Sequence, residues 1–475
     1  MNKPNIIIIL ADDMGYGDFS CFNFGASQTP HLDSLISEGT CATQHYSASP
    51  ICAPARAAIL TGRYPHRTGV IDTISVSKLS YLSTRETTIG DIFKGSGYKT
   101  GYIGKWHSGG LGDAYHPNFR GFDEFVGFRA GGSSYFNWDL EYNGVTKNTD
   151  GRYLTDVLTE EAVSYIQRQK NEPFLLHVAY NAPHGPFEAL EEDLKTFSDK
   201  GSFTDHVSTI YAMIKRMDLG IGRILETLKK LNVDKNTIVM FSSDNGPQMK
   251  CDNHTKRFNC GFKGSKGSIY EGGIRVPLII RWPDGLQGGE HFHDLIHSTD
   301  WLPTLATIAG IDLVNKKELD GQNILPALRN EGEAKLKQKR FWQWSRGVPV
   351  NTHNAAMRDG DWKYVLPGDI IANDIFKSEG WKVDLSVTSD MLNNPTAYLD
   401  SIPDAVGHPP CVGASKEIPE LYNLRSNPLE DDNLIDKHPD IARRMQLELD
   451  NWFEDVEKDR STILDKPFRS ADMFL

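Results

Sequence analysis

In Asn5-Ile6-Ile7-Ile8-Ile9-Leu10, the residues from Ile6 on through Ala11 form an unbroken apolar, mostly β-branched run that stops at Asp12-Asp13. A half-buried strand alternates apolar with polar residues. A strand apolar at every position is covered on both faces, as in a parallel sheet between helices. Parallel neighbours need crossover helices, so this one element already requires a layered α/β domain. Similar runs are Thr100 to Ile103, Phe174 to Ala179, Thr237 to Phe241 and Pro277 to Ile280. Between the Phe174 and Thr237 runs, about Thr204 to Leu231 reads as a helix. Its apolar residues Ile210, Met213, Ile214, Met217, Ile221, Ile224, Leu225 and Leu228 recur at three and four.

The chain has 475 residues, 39% hydrophobic and 24% charged, which is globular composition. The formal charge of −12 speaks against a nucleic-acid-binding surface, since phosphate backbones need a clustered cationic footprint. An anionic small substrate would need a local positive site against that field. No apolar run approaches the roughly 20 residues that span a bilayer. Met1-Asn2-Lys3-Pro4-Asn5 leads into no long apolar segment of the signal-peptide kind. The expected location is therefore cytoplasmic, or periplasmic or secreted where a leader has been removed. The six cysteines are too few for a disulfide scaffold; Cys251 and Cys260 either bridge or remain thiols.

Around residues 330–340 the chain turns polar and charged, which places a boundary between a catalytic domain, 1–335, and a second unit, 336–475. In the second unit, strand-like Asn354-Ala-Ala-Met-Arg, Trp362-Lys-Tyr-Val-Leu and Glu420-Leu-Tyr-Asn-Leu precede a helix at about Pro439 to Lys458. The helix sets Ile441, Met445, Leu449 and Trp452 on one face. Strands followed by a helix predict a small α+β fold. Within it, 367–419 is a long insertion rich in Gly, Pro and Asn.

Four apolar strands run directly into reactive residues: Asp12-Asp13, Gly104-Lys105-Trp106-His107, Asn181-Ala182-Pro183-His184 and Ser242-Ser243-Asp244-Asn245-Gly246. Ligands of open α/β sheets sit beyond the carboxyl ends of the strands, so these endings are expected to converge. Asp12, Asp13, Asp244 and Asn245 offer only oxygen, the donor set of a hard divalent cation. In Ser49-Pro-Ile-Cys52-Ala-Pro54-Ala-Arg56, Pro54 suits a first helical turn and Gly62 a helix end. Cys52 then sits at a helix N-terminus, where a thiolate would be activated.

These segments resemble the type I, formylglycine-dependent sulfatases, an arylsulfatase-like family of the alkaline-phosphatase superfamily. The resemblance rests on Cys52-Ala-Pro-Ala-Arg56 with Leu60-Thr-Gly-Arg63, and on Ala11-Asp-Asp-Met-Gly-Tyr-Gly-Asp18. It also rests on Gly104-Lys-Trp-His107, Pro183-His-Gly-Pro186, Ser243-Asp-Asn-Gly246 and Lys266-Gly-Ser-Ile-Tyr-Glu-Gly-Gly-Ile-Arg-Val-Pro277. They occur in the family's order, and Arg358-Asp-Gly-Asp-Trp-Lys363 is similar to its small domain. The resemblance implies an alkaline-phosphatase-like fold, a large mixed sheet between helices with a small C-terminal antiparallel sheet and helix. It implies that a formylglycine-generating or anaerobic maturation enzyme oxidises Cys52 to formylglycine. One hydroxyl of the hydrate then attacks sulfur to give a covalent sulfated enzyme, and the other expels sulfate. Ca²⁺, with Mg²⁺ as the alternative, would be held by Asp12, Asp13, Asp244, Asn245 and residue 52. Arg56 would hold the hydrate, and Lys105 and Lys266 the sulfate oxygens. His107 would be the base that triggers elimination, and His184 the acid for the leaving alcohol, assisted by Lys266. Lys263, three positions before Lys266, is the competing lysine.

The expected substrate is a sulfated carbohydrate. The Gly-rich segment Gly127 to Trp138 carries Arg129, Tyr135 and Trp138, residues suited to pairing with acidic groups or stacking on sugars. The insertion at 367–419 is expected to narrow substrate choice. No hydrophobic hairpin that would bury the enzyme in a membrane is visible. Two alternatives remain: a phosphonate or phosphate monoester hydrolase of the same superfamily, and a non-catalytic glycan-binding protein should Cys52 stay unmodified. The oligomeric state is not legible.

Overall fold

The structure, a computed structural model, describes residues 3–73, 80–198, 203–248, 257–313, 317–331, 335–345, 349–368 and 418–464. Most of the 367–419 insertion, Cys411, and Cys251 of the expected pair lie outside the described residues. In chain order the described strands are β1 (Asn5–Ala11), β2 (Thr40–Ala42), β3 (His45–Tyr46), β4 (Lys99–Lys105), β5 (Glu124–Phe128), β6 (Asp139–Tyr142), β7 (Val145–Asn148) and β8 (Phe174–Ala179). They continue with β9 (Thr237–Ser243), β10 (Leu278–Arg281), β11 (Glu290–Phe292), β12 (Ile296–His297), β13 (Lys339–Gln343), β14 (Ala355–Asp359), β15 (Trp362–Leu366) and β16 (Glu420–Asn423). One large mixed sheet has the order β11-β2-β10-β9-β1-β8-β4-β5-β6-β7.

β1 is central because both its faces are buried. Ile7, Ile9 and Ala11 enter one core, and Ile6, Ile8 and Leu10 the other. Each large side chain so buried contributes about 1.5–3 kcal/mol. The first core is closed by α1 (Pro30–Glu38) and by the helices Leu154–Gln169 and Asp205–Lys230. The second is closed by α2 (Cys52–Thr61) and by the helices Ile89–Gly95 and Trp301–Ile308. β1 runs parallel to β8 and β9, and β4 parallel to β8. β10 runs antiparallel to β9, which makes the sheet mixed.

Two features of the sheets are not in the sequence reading. β6 and β7 form a hairpin whose turn residues, Asn143 and Gly144, have φ of 49° and 88°. An Asn-Gly pair between strand-like segments is the signal for such a turn. β13 begins inside the polar run, 330–340, that reads as a connection.

β13, β14, β15 and β16 form the small antiparallel sheet. On one face, Met357, Tyr364 and Leu421 pack on Met445, Leu449 and Trp452 of the helix Pro439–Arg460. On the other, Trp342, Ala356, Val365 and Tyr422 pack on Tyr46, Ile269, Ile274 and Leu295 of the large unit. Among the described residues, no helix is long and apolar enough to cross a membrane.

Candidate active site

β9, β1, β8 and β4 lie side by side and point the same way, so their four polar endings emerge together. Cations and carboxylates interlock there. Lys105 Nζ donates to Asp12 Oδ2 at 2.6 Å, and Lys266 Nζ to Asp13 Oδ2 at 2.7 Å. Arg56 donates to Asp244 Oδ2 through Nε at 2.9 Å and Nη2 at 2.7 Å, and through Nη1 to the Lys105 carbonyl at 3.0 Å. Asn245 Nδ2 donates to Asp13 Oδ1 at 2.7 Å. All of these side chains but Lys266 are essentially fully buried. Burial opposes ionisation of Asp13, but Lys266 and His184 outweigh it and hold its carboxyl well below the usual carboxylate range. Asp244 is pushed up to about 6, by burial first and then by the Asp12 charge.

Asp13 and His107 have φ of 67° and 52°, a region that costs a residue other than glycine free energy. The surroundings fix both. The Asp13 carbonyl accepts from Arg257 Nη2 at 2.9 Å, and Arg257 Nε donates to buried Asp18 at 2.9 Å. Asp18 lies in the quoted N-terminal motif, but nothing local in sequence pointed to Arg257. His107 Nε2–H donates to the Thr73 carbonyl at 3.0 Å, which leaves Nδ1 as a buried lone pair with no hydrogen-bond partner among the described residues.

Cys52 is the first residue of α2, after an extended Ile51, and the helix ends at Gly62 with φ 68°. Activation by the helix N-terminus is not what the structure gives. The thiol is 3% exposed, and burial, helped by Asp12 and Asp244, raises its pKa despite Lys105 and Lys266. Taking a charge out of water costs more here than the helix end returns.

His184, the expected acid, stands among cations that disfavour its protonated form. Burial, then Lys266 and Lys105, lower its pKa to about 3. Nδ1–H donates to the Gly185 carbonyl at 2.6 Å, so Nε2 is a lone pair facing Asp13 Oδ2 at 3.9 Å. Burial and Lys105 likewise hold His107 neutral. Of the two lysines, Lys266 faces the carboxylates; Lys263 is turned away onto Glu420 and Tyr422 at 3.3 and 3.0 Å.

The Gly127–Trp138 segment runs beside both histidines. A Cβ on Gly131 would lie 2.8 Å from His107 Nε2, and one on Gly132 3.4 Å from His184. Its aromatic residues are not sugar platforms, which corrects the sequence reading. Tyr135 is 0% exposed, stacked on Tyr153, and donates its hydroxyl to the His184 carbonyl at 2.9 Å. Trp138 is 2% exposed and donates to the Arg152 carbonyl at 2.8 Å. Packing took both rings because the loop folds back onto the Leu154–Gln169 helix side of the core. Arg129 is partly buried, with Nε on Glu141 at 3.1 Å. Trp344, absent from the sequence reading, packs with Ile51 and Cys52.

The donor set fits a hard divalent cation. Asp12 Oδ1 and Asn245 Oδ1 are buried and accept no hydrogen bond among the described residues. The Asn245 amide nitrogen is spent on Asp13 and on the Gly246 carbonyl, which leaves its oxygen for something else. Asp12, Asp13 and His184 each offer a ligand atom within 4.8 Å of the others. Oxygen ligands of this kind suit Ca²⁺ or Mg²⁺.

A sequence model described as sulfatase matches residues 4–311, and one described as N-sulphoglucosamine sulphohydrolase, C-terminal, matches residues 263–366. The chain is 31% identical over 415 residues to the uncharacterised sulfatase YdeN of Escherichia coli (strain K12), covering 76% of this chain and 72% of that protein. It is 33% identical over 351 residues to N-acetylgalactosamine-6-sulfatase of Homo sapiens, covering 68% of this chain and 66% of that one. Among solved structures it is similar to Ps i-CgsB in complex with k-i-k-neocarrahexaose. The TM-score is 0.79 at 28% identity, over 99% of this chain and 96% of that chain.

Proposed function

Because the chain belongs to the sulfatase family, and is thus a sulfuric ester hydrolase, we propose that it hydrolyses a sulfate ester of a carbohydrate, with residue 52 matured to formylglycine beside a divalent cation. The observation that carries this reading is the setting of Cys52. A buried thiol with a raised pKa stands at a helix N-terminus, within the electrostatic reach of Lys105, Lys266, Asp12 and Asp244. A neutral thiol is a weak nucleophile, so a nucleophile at this point among two lysines and two carboxylates makes chemical sense once the thiol is converted to another group. The carbohydrate is supported by a relative named N-acetylgalactosamine-6-sulfatase and by the neocarrahexaose complex of a similar structure.

Formylglycine, when present, supplies a hydrated aldehyde whose hydroxyl is the nucleophile toward sulfur. The cation would be held by Asp12, Asp13, Asp244 and Asn245 and would draw electron density from a sulfate oxygen. Arg56 is locked by Asp244 and the Lys105 carbonyl and presents fixed positive charge one helical turn beyond residue 52. Lys105 and Lys266 bind the sulfate oxygens and offset charge that builds during transfer. The Nδ1 lone pair of His107 is free to take a proton. His184 delivers a proton to the leaving alcohol once the negative ester lies beside it, since an added negative charge favours the protonated imidazole.

Peptide mass spectrometry across Ile51 to Arg56 tests the reading, together with turnover of one aryl group carried as sulfate, phosphate and phosphonate. Maturation makes the peptide roughly 18 Da lighter. The expected result is the lighter peptide, preference for sulfate, activity on a sulfated-glycan panel, and loss of activity on chelation. An unmodified cysteine after co-expression with a maturation enzyme, or faster phosphonate turnover, overturns it.

A further inference from the structure

The loop that carries Lys266 is fastened on both sides. The Gly267 N–H donates to the Pro50 carbonyl at 2.8 Å, two residues before Cys52. The Gly267 carbonyl accepts from Asn354 Nδ2 at 3.0 Å, and the Ile269 N–H donates to Asn354 Oδ1 at 3.3 Å. The same Nδ2 donates to the Trp344 carbonyl at 2.6 Å, and the Trp344 N–H donates to the Asn354 carbonyl at 3.1 Å. Trp344 is the residue packed with Ile51 and Cys52. One buried amide, 1% exposed, thus ties the backbone beside Lys266 to the tryptophan beside Cys52.

We infer that Asn354 is a positioning residue for sulfate-ester hydrolysis: from the small sheet's side it sets Lys266 and Trp344 around residue 52 without touching a reacting atom. The inference rests on the sulfate-site reading above. The position asks for two donors, one acceptor and a left-handed backbone, since Asn354 has φ 45°. Only an amide has both donors and acceptor, and asparagine tolerates that φ better than most residues. Asp would offer no donor and would press a carboxylate against two carbonyl oxygens. The Lys266 N–H also donates to the Pro247 carbonyl at 3.0 Å, which holds the near side of the loop, while Lys263 on Glu420 and Glu271 on Lys363 at 2.9 Å hold its flanks; among these, Asn354 is the side chain that ties the loop to Trp344.

The test uses matured full-length enzyme with 4-nitrophenyl sulfate. Asn354→Gly keeps the backbone conformation and deletes the amide. Asn354→Ser keeps one donor and one acceptor. The expected result is a kcat lower by roughly 10- to 100-fold in Asn354→Gly with KM within about threefold, and an intermediate kcat in Asn354→Ser. Because the larger part of the effect runs through Lys266 and the rest through Trp344, Asn354→Gly should cost several-fold less on a Lys266→Ala background than in the wild type. A kcat at the wild-type value in Asn354→Gly, or equal loss with and without Lys266, overturns the inference alone. Should Asn354→Gly not fold, Asn354→Ser at wild-type melting temperature decides: reduced kcat supports the inference and unchanged kcat overturns it. No turnover of any sulfate ester by matured wild type overturns the sulfatase reading, and the inference with it.

Discussion

Lys105 shows how much of this site is held together by charge. Lys105 and Asp12 are both 0% exposed and 2.6 Å apart. Removing one partner of a buried pair strands the other's charge in a low-dielectric interior, which costs far more than the intact pair contributes. Lys105→Met is therefore expected to lower stability by about 3–5 kcal/mol, besides impairing turnover. Chemical denaturation checks this, and a change within experimental error would show that Asp12 finds another partner. The same logic explains Cys52. Its local position favours a thiolate, but the buried site disfavours any charge on sulfur. A residue's chemistry here is set by what surrounds it in space and not by its helix position.

At the scale of elements, strand pairing sets the geometry that side chains cannot. Gly104 precedes Lys105 in β4, with φ 107°. A Cβ there would lie 1.9 Å from the Ala179 carbonyl of β8, a rigid ladder atom with nowhere to go. A Cβ on Gly127 of β5 would likewise lie 2.0 Å from the Gly104 carbonyl oxygen. Gly104→Ala is expected to cost more than ~3 kcal/mol and to displace Lys105. Thermal melting together with kcat reads both effects. Near-wild-type melting would mean that β4 and β8 separate more easily than their register suggests. The unbroken apolar run of β1 was legible because both faces are buried. The β6–β7 hairpin carried its signal in Asn143-Gly144, and the short strands around that pair were too polar to stand out.

At the scale of the molecule, the two units meet through buried charge. Lys363 of the small sheet lies 2.9 Å from Glu271 and 2.8 Å from Glu430. Glu271 also has Arg275 at 3.3 Å and the Tyr46 hydroxyl at 2.6 Å, so it keeps its charge. Glu430, pressed by burial and by Glu271, is pushed up to about 7. The folded state thus holds a proton that the unfolded chain releases at lower pH. That stability is complete below the ordinary carboxylate value and is lost as pH rises through about 7. Between roughly pH 5 and pH 8 the melting temperature should fall, by the equivalent of up to ~3 kcal/mol. Glu430→Gln should flatten that dependence. A slope unchanged in the variant would assign the titration to another group.

The sequence by itself determined the layered α/β fold, the small C-terminal antiparallel sheet, and the gathering of polar residues where the central strands end. It could do so because a strand buried on both faces is apolar until it leaves the sheet, and the first polar residues beyond it must then be at the sheet's rim. Asp12-Asp13 and Asp244-Asn245 follow directly on β1 and β9, Lys105 closes β4, and His184 lies five residues past β8. Only the tertiary structure decided that Tyr135 and Trp138 face the core, that Lys266 and not Lys263 reaches the carboxylates, and that Cys52 is buried, which pushes its thiol up. Only it brought in Arg257, Trp344 and Asn354, whose partners lie far away in the chain. Burial and long-range hydrogen bonding depend on which segments meet, and neither periodicity nor local motif encodes that meeting.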